Sequence, residues 1–367
     1  MTQTHPHKTS EVTAAAASYT AYSGYIKHKR RVIVIMALIT FVLAMISMGL
    51  GAYTLSPAQI VQGMFNASPD PTVDAIIQNI RLPRVLSAIV SGIALALAGC
   101  TYQATLRNPL ASASTLGISQ GAAFGASVAI ILFADSTATS AVATVGSSTA
   151  NPYLTGICAF IGAILSTVII LGLSSLRDMS SESIVLLGVA LSAVFTAGTT
   201  LIQYFASDDQ VATVIFWTFG DLTRVSTQQL RLLSIITAAG AIFIFCNRWN
   251  YNALETGDTL AYGLGISVKG VRLSNTIIAS LLASSVIACA GIINFVGLIA
   301  PHIMRRILGA DYRYLLPASA LCGSCVLIVA DMLCNLLIPP TILPVSAITS
   351  LIGAPIFIYL LFKGVRH

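Results

Sequence analysis

The sequence predicts an all-α polytopic membrane protein of about ten transmembrane helices with both termini on the cytoplasmic side. Three observations carry this. Of 367 residues, 56% are hydrophobic and only 9% charged, where a soluble chain carries about a quarter. Long runs contain no charge at all, most of them above the roughly 20 residues that a helix needs to cross a bilayer core. The nineteen lysines and arginines sit at the ends of those runs and favour alternate ends, the pattern that sets membrane orientation.

Residues 1–25 are polar and rich in Thr, Ala and Ser, and read as a disordered cytoplasmic tail. No small-residue cleavage site follows the first apolar run, so it is not a secretory signal. Residues 26–367 then read as one transmembrane domain. The cluster Lys27-His28-Lys29-Arg30-Arg31 precedes the first uncharged run, 32–52. Others cover 85–106, 110–134, 152–176, 183–207, 232–247, 273–304, 314–330 and 332–362. The run 273–304 is long for one crossing and contains Gly291, Gly297 and Pro301, so it divides near Ile292 into a full helix and a short one. Pro339, Pro340 and Pro344 cut the last run, ending one helix near Leu337 and starting another near Val345. Ten crossings leave only Arg81, Arg84, Arg224 and Arg231 outside. Reading 273–304 as one crossing would move Arg305, Arg306 and Arg313 outside and weaken the bias.

Several function classes drop out. The net charge is +6, but the basic residues form no nucleic-acid patch. The seven cysteines give neither a disulfide framework nor a zinc site. Cys322 and Cys325 read as small residues on a packing face. No GxSxG, HExxH, phosphate-loop or paired-carboxylate pattern appears, so the chain reads as no enzyme. A faint inverted repeat of five helices per half rests on Gly99 and Gly291, Pro109 and Pro301, and Gly117 and Gly309, each offset by 192. Such repeats are common in transporters.

The polar motifs admit two readings each. Arg81-Leu82-Pro83-Arg84 puts two guanidinium groups on the outer side, suited to carboxylates of a docking partner or to lipid headgroups. The turn Arg107-Asn108-Pro109-Leu110-Ala111-Ser112 breaks a helix beside the membrane, as a gate or as a plain hairpin. Gly117, Gly121 and Gly125 permit close helix contact. Trp217 reads as an interfacial anchor, and His302 as structural. Asp331 is the one acid within an expected span, fit to carry a proton or to pair with a neighbouring helix. Residues 251–265 form a polar island between apolar blocks. There Leu254, Gly257, Ala261 and Leu264 share a rough face, Glu255 and Asp258 lie off it, and two short helices are expected to join at Gly263–Gly265. It is either a passive connector or a contact surface.

Taken together, these motifs resemble the permease family of bacterial ABC importers for ferric siderophores, haem and vitamin B12. The resemblance runs from about Ile80 to Gly364. It rests on Arg81-Leu82-Pro83-Arg84, Gly99 with Gln103, the 107–111 turn, 117–122, Trp217 with Gly220, and Gly257-Asp258 with Ala261 and Leu264-Gly265. Further along it uses 295–302, Ala330-Asp331, Leu343-Pro344 and 353–355. It implies a type II ABC importer permease, paired with a second permease copy, two cytoplasmic ATPase subunits and an external solute-binding protein, in the bacterial inner membrane. ATP and Mg would sit on the partner ATPase, with no cofactor or metal in this chain. Arg81 and Arg84 match arginines that meet acidic residues of the binding protein, and Asn335 stands where many relatives carry another arginine. Asn108, Leu110, Ser181 and Glu182 match the cytoplasmic gate, with Glu182 departing from the small residue of the vitamin B12 type. Residues 250–268, with Leu254, Glu255, Gly257, Asp258, Ala261, Leu264 and Gly265, match the coupling helices that seat in the ATPase. A ferric siderophore is the first expectation for the solute. A proton- or ion-coupled secondary transporter working through Asp331 is the rival.

Overall fold

The computed structural model describes residues 7–50, 55–133, 151–176, 180–338, 341 and 343–364. Expectations for residues 1–6, Ala52, Ala134, Arg177, Arg366 and the Pro339-Pro340 break lie outside them.

The described residues form helices and no strand. The first helix, α1 (His7–Gly49), is followed by the short α2 (Pro57–Met64) and α3 (Pro71–Ile76). Ser56 and Gln59 cap α2 reciprocally, and Asp70 caps α3, each ahead of a proline suited to a helix start. A π-helical turn, Ile77–Arg81, leads into α4 (Leu82–Thr105). Then come α5 (Ile118–Leu132), α6 (Pro152–Leu176), α7 (Ser181–Tyr204), α8 (Asp208–Thr218) and α9 (Thr227–Cys246). The short α10 (Arg248–Glu255) and α11 (Asp258–Gly263) precede α12 (Val268–Ala290), α13 (Val296–Leu308), α14 (Tyr312–Leu336) and α15 (Val345–Gly364).

Among the described residues, seven helices are long and apolar enough to cross a membrane, and Ile118–Leu132 and Val345–Tyr359 are shorter apolar ones. With α13, about 20 Å long at 1.5 Å per residue, these are the ten expected, in the expected order. Helix α4 is the central rod, packed by α9, α12, α13 and α14. Lipid tails supply no hydrophobic drive between helices, so small residues that let backbones approach do that work. A Cβ on Gly99 would fall 1.7 Å from the Gly297 oxygen, and one on Gly92 would fall 2.6 Å from the Gly323 oxygen. The glycine face expected on α5 works the same way, with Gly121 against Gly162 and Gly125 against the Cys158 carbonyl. Cys322 and Cys325 are buried in α14, and Thr40 Oγ1 lies 3.1 Å from Cys325 Sγ, a helix contact as expected. All seven cysteines are free.

Four expectations change. Helix α1 begins at His7, where a disordered tail was expected to residue 25; the alanine-rich stretch propagates readily from an already formed helix. The run 110–134 is helical only from Ile118, because Asn108, Ser112 and Thr115 commit the preceding backbone to turns. Trp217 is no surface anchor. It is buried on α8 where its carbonyl meets Gly291, and Asp221 N donates to the Ala290 oxygen at 2.7 Å. The residues offset by 192 also differ locally: Gly99 is mid-helix, whereas Gly291 caps α12 at φ +76°. Pro109 lies in a turn and Pro301 inside α13.

Candidate docking, gate and coupling elements

The motifs occupy the two ends of α4. At its start, Arg81 and Arg84 do not form the exposed positive patch that was expected. Arg81 is buried and its Nη1 donates to the Met48 oxygen at 2.6 Å. That oxygen is one of the unsatisfied carbonyls at the end of α1, where a cation is favoured. Arg84 forks onto Asp331 of α14: Nε lies 3.0 and 2.9 Å from the two carboxylate oxygens, and Nη2 lies 2.9 Å from Oδ1. The side chains are 14% and 2% exposed. A planar guanidinium suits this bidentate geometry, which a lysine would not reproduce. Asp331 is therefore the helix-pairing acid of its two readings. Asn335 Nδ2 bonds the Asp331 carbonyl one turn back at 2.7 Å and is occupied within its own helix.

At the other end, α4 stops in the turn carrying Asn108 and Leu110. Arg107 takes φ +46°. Asn108 Oδ1 accepts from the Leu110 N–H at 2.9 Å, an Asx turn that leaves Leu110 39% exposed. Ser112 and Thr115 bond each other, and Gly117 at φ +71° starts α5. Gly188 of α7 packs against this turn so closely that a Cβ would reach 2.2 Å from the Thr115 oxygen. Ser181 and Glu182 open α7 at the same end, with Glu182 exposed. Glycine at 188 thus lets α7, which begins with Ser181 and Glu182, pack on the backbone of Thr115 and Leu116 that follows Asn108 and Leu110.

The island 250–268 does form two short helices, but they join at Thr256–Gly257 rather than at Gly263–Gly265. The expected shared face also splits. Leu254 and Ala261 are fully buried with Val268, so they hold the island to the protein and do not present to a partner. Leu264 is exposed, as are Trp249, Leu260 and Tyr262. These last three were missed because helical spacing alone does not say which face is inward.

The two island helices are held differently. In α10, the Tyr251 hydroxyl donates to Asn275, and burial pushes its phenol above the ordinary value. Asn252 accepts from the Tyr312 N–H at 2.9 Å and donates to Asp311, while Glu255 accepts from the Tyr312 hydroxyl and faces Arg305 at 3.7 Å. Asp311 caps α14. Burial alone would raise its carboxyl, but the Arg313 side chain and N–H, with Lys29, outweigh that and hold it below the ordinary value. Lys29 is itself buried, 3.7 Å from Asp311 and stacked over Tyr25 and Tyr314. Helix α11 has one polar tie among the described residues: Asp258 Oδ1 accepts from Arg272 Nη2 at 2.9 Å. His302 stands edge-on to Phe357, and no cluster fit to bind a metal occurs among the described residues.

An all-helical chain with seven membrane-length helices among the described residues, a tight turn at the end of its central helix and two short helices between long ones fits a transport permease. The comparisons place it more narrowly. The model of the FecCD transport family matches residues 38–363, and the chain belongs to that family. It is 44% identical over 346 residues to a protein of Methanocaldococcus jannaschii assigned as an ABC transporter permease, covering 93% of this chain and 97% of the relative. It is 36% identical to the Fe(3+)-citrate import system permease of Bacillus subtilis, over 90% of this chain and 94% of that one. Relatives named for haemin and vitamin B12 match at 33% and 34% identity. A solved inward-facing structure of a transporter assigned to the metal-chelate ABC type superposes with a TM-score of 0.78 at 26% identity, over 91% of this chain and 99% of that one. The chain is a permease of the ABC importer type that serves metal chelates, haem or vitamin B12.

Proposed function

We propose that this chain is the permease through which a ferric siderophore or a related large iron chelate enters the cytoplasm. The observation that carries the iron reading is the 36% identity, over nine-tenths of both chains, to a permease named for Fe(3+)-citrate. Glu182 at the gate, where the vitamin B12 type has a small residue, favours the same reading over B12. The chain works as a homodimer or a related heterodimer in the inner membrane, with two cytoplasmic ATPases and an external binding protein. The Arg81 end faces outward and the α10–α11 island faces the cytoplasm.

Hydrolysis of ATP belongs to the partner, and this chain supplies the path and the coupling. ATP draws the ATPases together, they push on the exposed face of Leu260, Tyr262 and Leu264, and the Asn108–Leu110 turn changes which end of the path is open. The buried Arg84–Asp331 fork gives Asp331 a permanent counter-ion, which supports the ATP-driven reading over a proton carrier. On this reading Arg81 contributes positive potential at the docking face, while Arg84, neutralised by Asp331, offers no free guanidinium group.

The test is uptake by the reconstituted transporter with its ATPase and binding protein, offered radiolabelled ferric citrate, a ferric hydroxamate, haem or cobalamin. The expected result is ATP-dependent uptake of a ferric chelate at least tenfold above haem and cobalamin. Preferential uptake of haem or cobalamin would replace the solute, and uptake that follows a proton gradient without ATP would replace the class.

A further inference from the structure

The two helices of the island are held to different degrees. Helix α10 is fastened at several points to α12, α13 and α14 through Tyr251, Asn252 and Glu255. Helix α11 is six residues long and lies between two glycines in conformations that other residues rarely adopt, Gly257 at φ +115° and Gly265 at φ +81°. Neither glycine has a neighbour within 4 Å of where a Cβ would sit, so backbone geometry rather than packing calls for glycine there. A helix between two such glycines has a hinge at each end, and the one buried side chain that holds it to the cluster of Leu254 and Val268, Ala261, is small.

Its polar tie leads straight to the gate. Arg272, near the start of α12, donates from Nη2 to Asp258 at the first position of α11. From Nε it donates to the Thr105 carbonyl at 2.9 Å. Thr105 is the last residue of α4, and its carbonyl is among those that the helix leaves unsatisfied. Two residues on, Arg107 opens the left-handed turn that presents Asn108 and Leu110. One rigid, planar group therefore touches the hinged helix on one side and the root of the gate turn on the other. Arg272 and Asp258 are 31% and 40% exposed, so the pair adds little to stability and can shift without unfolding the protein.

We propose that Arg272 is a positioning residue that passes displacement of α11 to the end of α4 and so to the gate. This rests on the coupling reading of the island, and the experiment separates the two. The full transporter, with its ATPase and binding protein, is reconstituted carrying Leu110→Cys as a reporter. Modification of the introduced thiol by an impermeant maleimide is followed by peptide mass spectrometry with and without ATP, which keeps the native cysteines out of the signal. The parent is expected to show at least a fivefold ATP-dependent change in rate. Arg272→Ala is expected to keep ATPase binding and hydrolysis within twofold of the parent while the change at position 110 falls below twofold. Arg272→Lys, a point charge that cannot span both partners as the fork does, should fall between them.

An Arg272→Ala transporter that gates like the parent overturns the proposal. So does one that loses ATPase binding, since Arg272 would then merely support the docking face. If Leu260→Arg with Leu264→Arg leaves ATPase binding unchanged, the coupling reading itself is wrong, and the role of Arg272 goes with it.

Discussion

Two arginine–carboxylate pairs stand at opposite ends of the central rod α4, and each has a nitrogen 2.9 Å from an oxygen. Arg84 and Asp331 are almost wholly buried; Arg272 and Asp258 are exposed at 31% and 40%. The same chemistry gives two devices. A buried pair cannot lose one partner without stranding a charge away from water, so it pins α4 to α14. An exposed pair has water as an alternative partner and can be remade in a new position. Helix α4 is fastened at its start and loosely tied at its end, which is where the proposed coupling would need play.

The largest expected effect attacks the pinned end. Asp331→Ala should destabilise the protein by about 3–5 kcal/mol, because it leaves the Arg84 guanidinium nearly buried and unpaired. Thermal melting of the purified permease in detergent would show it, and a shift no larger than that of a surface substitution would mean the fork is not structural. Next is the rod itself. Gly99→Ala places a Cβ against the Gly297 backbone, and overpacking of this kind costs about 1–3 kcal/mol. The yield of folded protein should fall, and normal yield would mean that α4 and α13 part easily. Asp258→Ala, at the loose end, should cost under about 1 kcal/mol and yet lower transport per ATP consumed. High salt should weaken this tie and leave the Arg84–Asp331 fork intact.

The smallest effect is one of pH. The folded state holds the Asp311 carboxyl below its ordinary value, which is near 3.9. Its contribution is therefore complete at neutral pH, begins to fade below about pH 4 and is gone once pH falls through the folded value. Asp311→Asn should flatten the acid end of the stability profile, most visibly for the attachment of α10. An unchanged acid limb would remove Asp311 from the network.

Much of this was legible in the sequence, for local reasons. Uncharged runs of the right length are read residue by residue, and the break expected near Ile292 separates α12 from α13 between Gly291 and Phe295, with Pro301 inside α13. The glycine spacing of α5 announced its close contact with α6. What escaped depends on distant residues or on which way a face points. Arg84 and Asp331 are 247 positions apart, so two correctly chosen residues received separate roles that their meeting revises. Leu254, Ala261 and Leu264 have similar character and compatible spacing. Only the tertiary fold shows that the first two face Val268 and the third faces out. The contact of Trp217 with Gly291 was hidden for the same reason, since a tryptophan near an apolar boundary looks like an anchor until its partner is known.

The central claim is that the exposed face of the α10–α11 island is where an ATPase drives this permease. The most direct test is binding and activity of the cognate ATPase reconstituted with the native chain or with Leu260→Arg plus Leu264→Arg. Both positions are well exposed, so the helices that hold the island stay intact. The account predicts at least a tenfold loss of ATPase binding and of its stimulation by the binding protein, with unchanged folding of the permease. Native binding and stimulation in the variant would contradict it and return the island to the status of a connector.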